Sequence, residues 1–392
     1  MTLPAVYVPA GLPAPEPEAL AHGQRVQAEL REQIIAAGGS LPFEDWMQTA
    51  LYAPGLGYYS AGSTKFHAAG DFTTAPESSP LFGQTLARQV AQVLNDSDSL
   101  RVLEFGAGSG ALAAVLIPAL QHMGLTVEYQ ILELSADLRR RQAQALAVHR
   151  SQVHWLETLP DVFSGCVVAN EVLDAMPAAV LCWSAEGLPQ VLGVGLSDEA
   201  DPARPFRWTA QPAPQDLASL LAARMPPLPA YRTEINRQAE AWIRDMGRWL
   251  KRGAALLIDY GFPQAEFYHP QRTQGTLMCH FRHHAHDQPL ILAGLQDITT
   301  HVDFTAMADA ALDGGLDVMG YTSQARFLMN CGLTELIGQA GNDAAARARL
   351  LAAVNTLVSE AEMGELFKVL AIGRGLDGPL LGFSRGDRRD RL

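Results

Sequence analysis

The chain has 392 residues, 48% of them hydrophobic, and a formal net charge of −13. That length and apolar content can bury a full core with additions, while the acidic balance argues against nonspecific attachment to nucleic acid phosphates. No stretch approaches the roughly twenty uninterrupted apolar residues of a membrane-spanning helix, so no membrane insertion is expected. Cys166, Cys182, Cys279 and Cys331 are too scattered for a disulfide framework or a thiolate zinc site.

Residues 1–23 are proline-rich and lack a basic region ahead of an apolar core, so they read as a disordered leader, consistent with a cytoplasmic protein. Residues 24–95 read as N-terminal helices and a lid loop. A helix over QRVQAELREQIIAAG is followed by SLPFEDWMQTALY, where Ser40 is placed as a capping residue. A glycine-, serine- and threonine-rich loop then leads to an apolar helix starting at Ser79-Pro80. Long loops of this kind are uncommon unless functional.

A core is expected over residues 96–374, beginning with RVLEFGAGSG, an apolar strand that carries Glu104 and ends in Gly106, Gly108 and Gly110. Such a turn lets backbone amides approach a nucleotide closely, and its G-x-G-x-G spacing favours S-adenosylmethionine over a dinucleotide. ALAAVLIPALQHMG follows as a helix with Pro118 inside and Gly124 as its stop. A second strand, VEYQIL, then ends in Glu133, where an acid can accept both ribose hydroxyls. The RRRQ run, Arg139 to Gln142, reads as a solvated helix face.

Further strands are expected at 153–156, 166–169 and 254–258, an alternation of strand and helix that specifies a parallel sheet. Insertions are expected near 182–250 and 262–325, and residues 375–392, ending RGDRRDRL, read as a frayed tail. Open parallel sheets bind ligands at the carboxyl ends of their strands. The fourth strand delivers Asn170, Glu171 and Asp174 there from VVANEVLDAMP, and the fifth delivers Asp259 and Tyr260 from IDYG. Two carboxylates at one strand exit are tolerated when a cation or a shared proton compensates them.

At this point the chain resembles the MidA-like S-adenosylmethionine-dependent methyltransferases, a group that includes the mitochondrial complex I assembly arginine methyltransferase. The stretches that carry the resemblance are LYAPGLGYYS, GDFTTAPESSPLFG, VLEFGAGSGALA, YQILELS, ANEVLDAMP, IDYG, GTLMCH, DITTHVDF, GYTSQARFL and MGELFKVLAIGR, in that order. The resemblance implies an α/β fold, a class I (Rossmann-like) methyltransferase sheet with an N-terminal helical preface and two insertions. It implies S-adenosyl-L-methionine as cofactor and S-adenosyl-L-homocysteine as product. Gly106, Gly108 and Gly110 would then lie under the methionine part and Glu133 on the ribose, with Gly70, Asp71, Phe72 and Thr73 in a lid. Protein arginine is the target it suggests, the partner being a protein such as a respiratory complex subunit, and a homodimer stays open.

Methyl transfer from a sulfonium expels a neutral thioether and needs no acid, so positioning supplies most of the rate. A guanidinium nucleophile carries no free lone pair, and carboxylates must orient it. Glu171 is the first choice for that work, Asp174 and Asn170 support it, and Asp71 orients substrate or cofactor. Tyr58, Tyr59, Phe66 and Phe72 either shield the cation by cation–π contact or pack the lid. His301 is a candidate for the substrate wall, and Asp303 or Thr299 for the cap of the helix after it. His280, His283, His284 and His286 lack the H-E-x-x-H arrangement, and no metal site is expected. Two other readings remain: an assembly or chaperone factor that binds the cofactor without turnover, and a nicotinamide dehydrogenase, which the glycine spacing disfavours.

Overall fold

The computed structural model describes residues 6–61, 74–197, 204–339 and 344–392. The chain forms two compact units, each assembled from three separated stretches. One comprises Met1–Phe72, Ala175–Gln238 and Ala265–His301, the other Thr73–Asp174, Ala239–Gln264 and Val302–Leu392.

The second unit is built on seven strands: β1 (Arg101–Phe105), β2 (Glu128–Leu132), β3 (Val153–Leu156), β4 (Phe163–Asn170), β5 (Leu250–Phe262), β6 (Asp317–Ser323) and β7 (Phe367–Arg374). Their order is β3-β2-β1-β4-β5-β7-β6, with a short eighth strand, Val302–Asp303, beside the end of β5. The first five run parallel, and β7 is antiparallel to both of its neighbours. Strands β4 and β5 are buried almost throughout, as a parallel sheet covered by helices on both faces requires.

The helix Pro80–Asp96 starts where Ser79 accepts the amide of Leu81, and it packs against Ala111–His122, so it belongs to this unit and not to an N-terminal preface. Pro118 sits inside Ala111–His122 as expected. The C-terminal residues are docked, in contrast to the frayed tail expected from their charge. Leu380 and Phe383 are buried in the core, Thr322 donates to the carbonyl of Gly386, and the amide of Arg388 donates to that of Tyr321. Two apolar side chains supply the anchorage, and the segment covers the outer edge of β6, which would otherwise present unpaired backbone groups.

In the first unit, the antiparallel strands Leu41–Pro42, Pro189–Leu196, Ala179–Trp183 and Arg232–Ile235 form a sheet that Phe206–Pro212 extends. The helices Pro17–Ala36 and Phe43–Tyr52 share a core with it, where Trp46 meets Phe206 edge-on at 4.6 Å. The first helix begins within the expected leader, and Val6, Val8 and Leu12 pack beside Phe281, Leu292 and Leu295. Ser40 does not cap the second helix: its hydroxyl shares a 2.6 Å hydrogen bond with that of Thr209. The inserted stretches return to the parallel sheet of the second unit at 239 and 302, earlier than expected, because the helices Arg237–Trp249 and Phe304–Asp313 lead directly into β5 and β6. Asp303, and not Thr299, caps the latter by accepting the amide of Ala306.

Candidate active site

All four parallel strands that carry candidate residues end at the same edge of the second unit. At the exit of β1 the turn requires glycine: Gly108 and Gly110 have φ of +53° and +84°. A Cβ at Gly108 would meet no atom of the described residues within 4 Å, so among them this backbone borders open space. Glu104, just before the turn, is 3% exposed and accepts a 2.7 Å hydrogen bond from the Tyr129 hydroxyl. Burial pushes its carboxyl up to about 7.

Glu133 directly follows β2, its carboxylate held from two sides, by the amide of Ser135 at 2.9 Å and by Gln142 Nε2 at 3.1 Å. Burial raises its pKa, and the Ser135 and Gln142 hydrogen bonds work against the rise. Gln142 is fully buried, so the run expected to be a solvated face turns one residue inward. It lies seven residues, two helical turns, after the cap residue Ser135 and therefore on the face toward the exit of β2.

The exit of β4 is strained. Glu171 has φ of +54°, a region that costs a β-carbon-bearing residue roughly 1 kcal/mol or more. Two hydrogen bonds hold it there: its amide donates to the carbonyl of Ile258 at 2.9 Å, and its Oε1 accepts from Asn170 Nδ2 at 3.0 Å. Among the described residues, no donor reaches the buried Asn170 Oδ1.

Asp259 lies under the same turn at 1% exposure, its Oδ2 accepting the amides of Leu173 and Asp174, its Oδ1 that of Tyr260. Burial, then the charges of Asp174 and Glu171, hold its carboxyl well above the usual carboxylate range. The Tyr260 hydroxyl donates to Asp174 Oδ2 at 2.5 Å. Asp259 and Tyr260, which the sequence delivers to the ligand-binding edge and offers as substrate contacts, instead hold the acidic turn through their hydrogen bonds, with Asp259 enclosed at 1% exposure.

The other sequence candidates lie in the first unit. Tyr58 is buried at 5% exposure and packs edge-on against Tyr59. Tyr59 stacks on Tyr52 and donates to Asp297 Oδ1 at 2.8 Å. The amide of His301 donates to Thr276 Oγ1, whose own hydroxyl proton goes to the buried Glu234. His280 and His284 lie on facing strands of a small sheet, and among the described residues no group of histidines, cysteines or carboxylates forms a metal cluster. Gly70, Asp71, Phe72, Thr73 and Phe66 lie outside the described residues.

An open glycine turn, a doubly held acid one strand away and an orphan acceptor at the next exit fit an adenosyl sulfonium ligand. With the reversed β7 between β5 and β6, they define a class I methyltransferase.

A family profile described as "Putative S-adenosyl-L-methionine-dependent methyltransferase" matches residues 85–322, and the chain belongs to that family. A solved protein of the same superfamily from Burkholderia thailandensis, bound to S-adenosyl-homocysteine, is similar over 97% of this chain and 100% of its own, with 47% identity and a TM-score of 0.92. The protein arginine methyltransferase NDUFAF7 of Danio rerio is 26% identical over 88% of this chain and 85% of its own length. Its Drosophila melanogaster homolog is 27% identical over 95% and 92%.

Proposed function

We propose that this S-adenosylmethionine-dependent enzyme methylates an arginine side chain of a protein substrate. The observation that carries the reading is the acidic turn at the exit of β4, where Glu171 is held in a strained conformation beside Asp174, one strand from the glycine turn. The names of the NDUFAF7 relatives, protein arginine methyltransferases, support the same target.

The cofactor supplies an electrophilic methyl group on a sulfonium, whose departure as a neutral thioether asks nothing of the protein. What remains is to position a poor nucleophile. The carboxylate of Glu171 accepts hydrogen bonds from the guanidinium and draws its charge away from the nitrogen that attacks. The attacking nitrogen forms its bond to the methyl carbon as the carbon–sulfur bond breaks with both electrons going to sulfur. That nitrogen then loses one proton to a carboxylate of the turn. Asp174, fixed by Tyr260, adds negative charge beside Glu171 that tolerates two cations together, and Asp259 fixes the backbone of the turn.

The test is to incubate the purified protein with isotopically methyl-labelled cofactor and a cell extract, hydrolyse the labelled protein, and identify the modified amino acid. Methylarginine supports the reading. Label on another residue, or binding of S-adenosylhomocysteine with no transfer to any protein, overturns it, the latter in favour of an assembly factor that holds the cofactor without turnover.

A further inference from the structure

Gln142 makes three hydrogen bonds from complete burial. Its Nε2 donates to the carbonyl of Gly108 at 3.0 Å and to Glu133 Oε2 at 3.1 Å, and its Oε1 accepts from Trp155 Nε1 at 2.9 Å. The orientation of the amide is fixed by chemistry, because an indole N–H can only donate. The oxygen of Gln142 must face Trp155, so both hydrogens of the nitrogen are directed at the glycine turn and the acid. One side chain therefore ties together the exits of β1, β2 and β3.

We propose that Gln142 is a positioning residue for the cofactor ribose: it sets the rotation of the Glu133 carboxylate and locks it to the glycine turn. This rests on reading the edge as the S-adenosylmethionine site. Ser135 donates to Glu133 Oε1 and Gln142 to Oε2, the Leu134 backbone adds a further hydrogen bond, and the lone-pair capacity that remains is what the carboxylate can offer the ribose. Without Gln142 the carboxylate keeps backbone hydrogen bonds alone, from Ser135 and Leu134, and loses the side-chain donor that ties its Oε2 to the glycine turn, so its presentation to two adjacent hydroxyls is less fixed. The Gly108 carbonyl is turned toward Gln142, while the position of its absent Cβ borders open space. Gln142 thus acts behind both groups without itself needing to touch the ligand.

Calorimetric titration with 5′-methylthioadenosine and its 2′,3′-dideoxy counterpart separates positioning from general support. The wild type prefers the hydroxylated nucleoside. In Gln142→Met that preference shrinks by about tenfold, the scale of one hydrogen bond to a charged group. Affinity for the dideoxy compound stays within about twofold, which also reports a folded protein. Trp155→Phe, which leaves Gln142 in place but removes its anchor, shrinks the preference by roughly threefold and serves if the Met variant does not fold. An unchanged preference, or equal losses for both nucleosides, overturns the proposal. Failure of the wild type to bind S-adenosylhomocysteine at all overturns the cofactor site itself, and the role of Gln142 with it.

Discussion

Tyr260 donates its hydroxyl to Asp174 across the gap between β5 and the turn after β4, at 2.5 Å. The tyrosine also packs edge-on against Phe367 of β7, so the bond is held by ring packing as well as by its own attraction. Tyr260→Phe keeps the ring and removes the donor. We expect a loss of about 1–2 kcal/mol in unfolding free energy, the usual effect of a lost hydrogen bond to a charged group. Denaturant titration at pH 7 checks it, and an undiminished midpoint would mean that the bond contributes nothing net.

Glu171 offers a sharper test because its conformation is costly and its side chain is the one assigned to the guanidinium. Glu171→Gln keeps the shape and the contact with Asn170 while removing the charge. Turnover should fall by roughly 10²- to 10³-fold with affinity for S-adenosylhomocysteine unchanged. Glu171→Gly removes the side chain and relieves the positive φ, so it should be equally inactive yet more stable by about 1 kcal/mol. Single-turnover rates and thermal unfolding read these effects. A Gly variant less stable than the wild type would show that the Asn170 contact outweighs the strain.

The five parallel strands could be read from the sequence because each is a short apolar run closed by glycine, acid or asparagine, and that signal is local; β6 fell within an expected insertion and β7 was not read as a strand. Gly106, Gly108, Gly110 and Glu133 were legible for the same reason. Asp259 was legible as a position but not as a role: nothing within IDYG shows that its carboxylate accepts two amides 85 and 86 residues back along the chain. Gln142 was hidden within an arginine run, and only its two-turn spacing from Ser135 could have placed it on the inner face. The division into units was hidden for a similar reason, since the first unit's sheet pairs Leu41 with Val194 and Val180 with Glu234, contacts that no local pattern encodes.

The C-terminal segment provides a test of packing alone. Phe383 is 5% exposed, contacts Phe327 at 5.5 Å between ring centres, and fills the space over Gly320 so closely that a Cβ there would collide with its ring. Phe383→Ala should cost about 3–4 kcal/mol, as expected for emptying a buried aromatic site. Gly320→Ala should also destabilise the protein, by roughly 1–3 kcal/mol through overpacking. Chemical denaturation of both variants measures this, and near-zero effects would return the segment to the status of a loose tail.

Glu104 links stability to pH. Its carboxyl rises from an ordinary value of 4.5 to about 7 in the folded protein, chiefly because burial disfavours the charged form. The folded state therefore binds the proton more tightly than the unfolded one, and the resulting stabilisation is complete below pH 4.5 and lost as pH rises through about 7. Glu104→Gln keeps an acceptor for the Tyr129 hydroxyl and cannot ionise. The variant should gain on the wild type progressively across this window, by up to about 3 kcal/mol at pH 8. A bound cation should favour the ionised carboxylate instead, so binding of S-adenosylmethionine near pH 6.5 should release a proton from the wild type and none from the variant. Titrations in buffers of different ionisation enthalpy count that proton, and equal counts from the two proteins would remove Glu104 from the cofactor's surroundings.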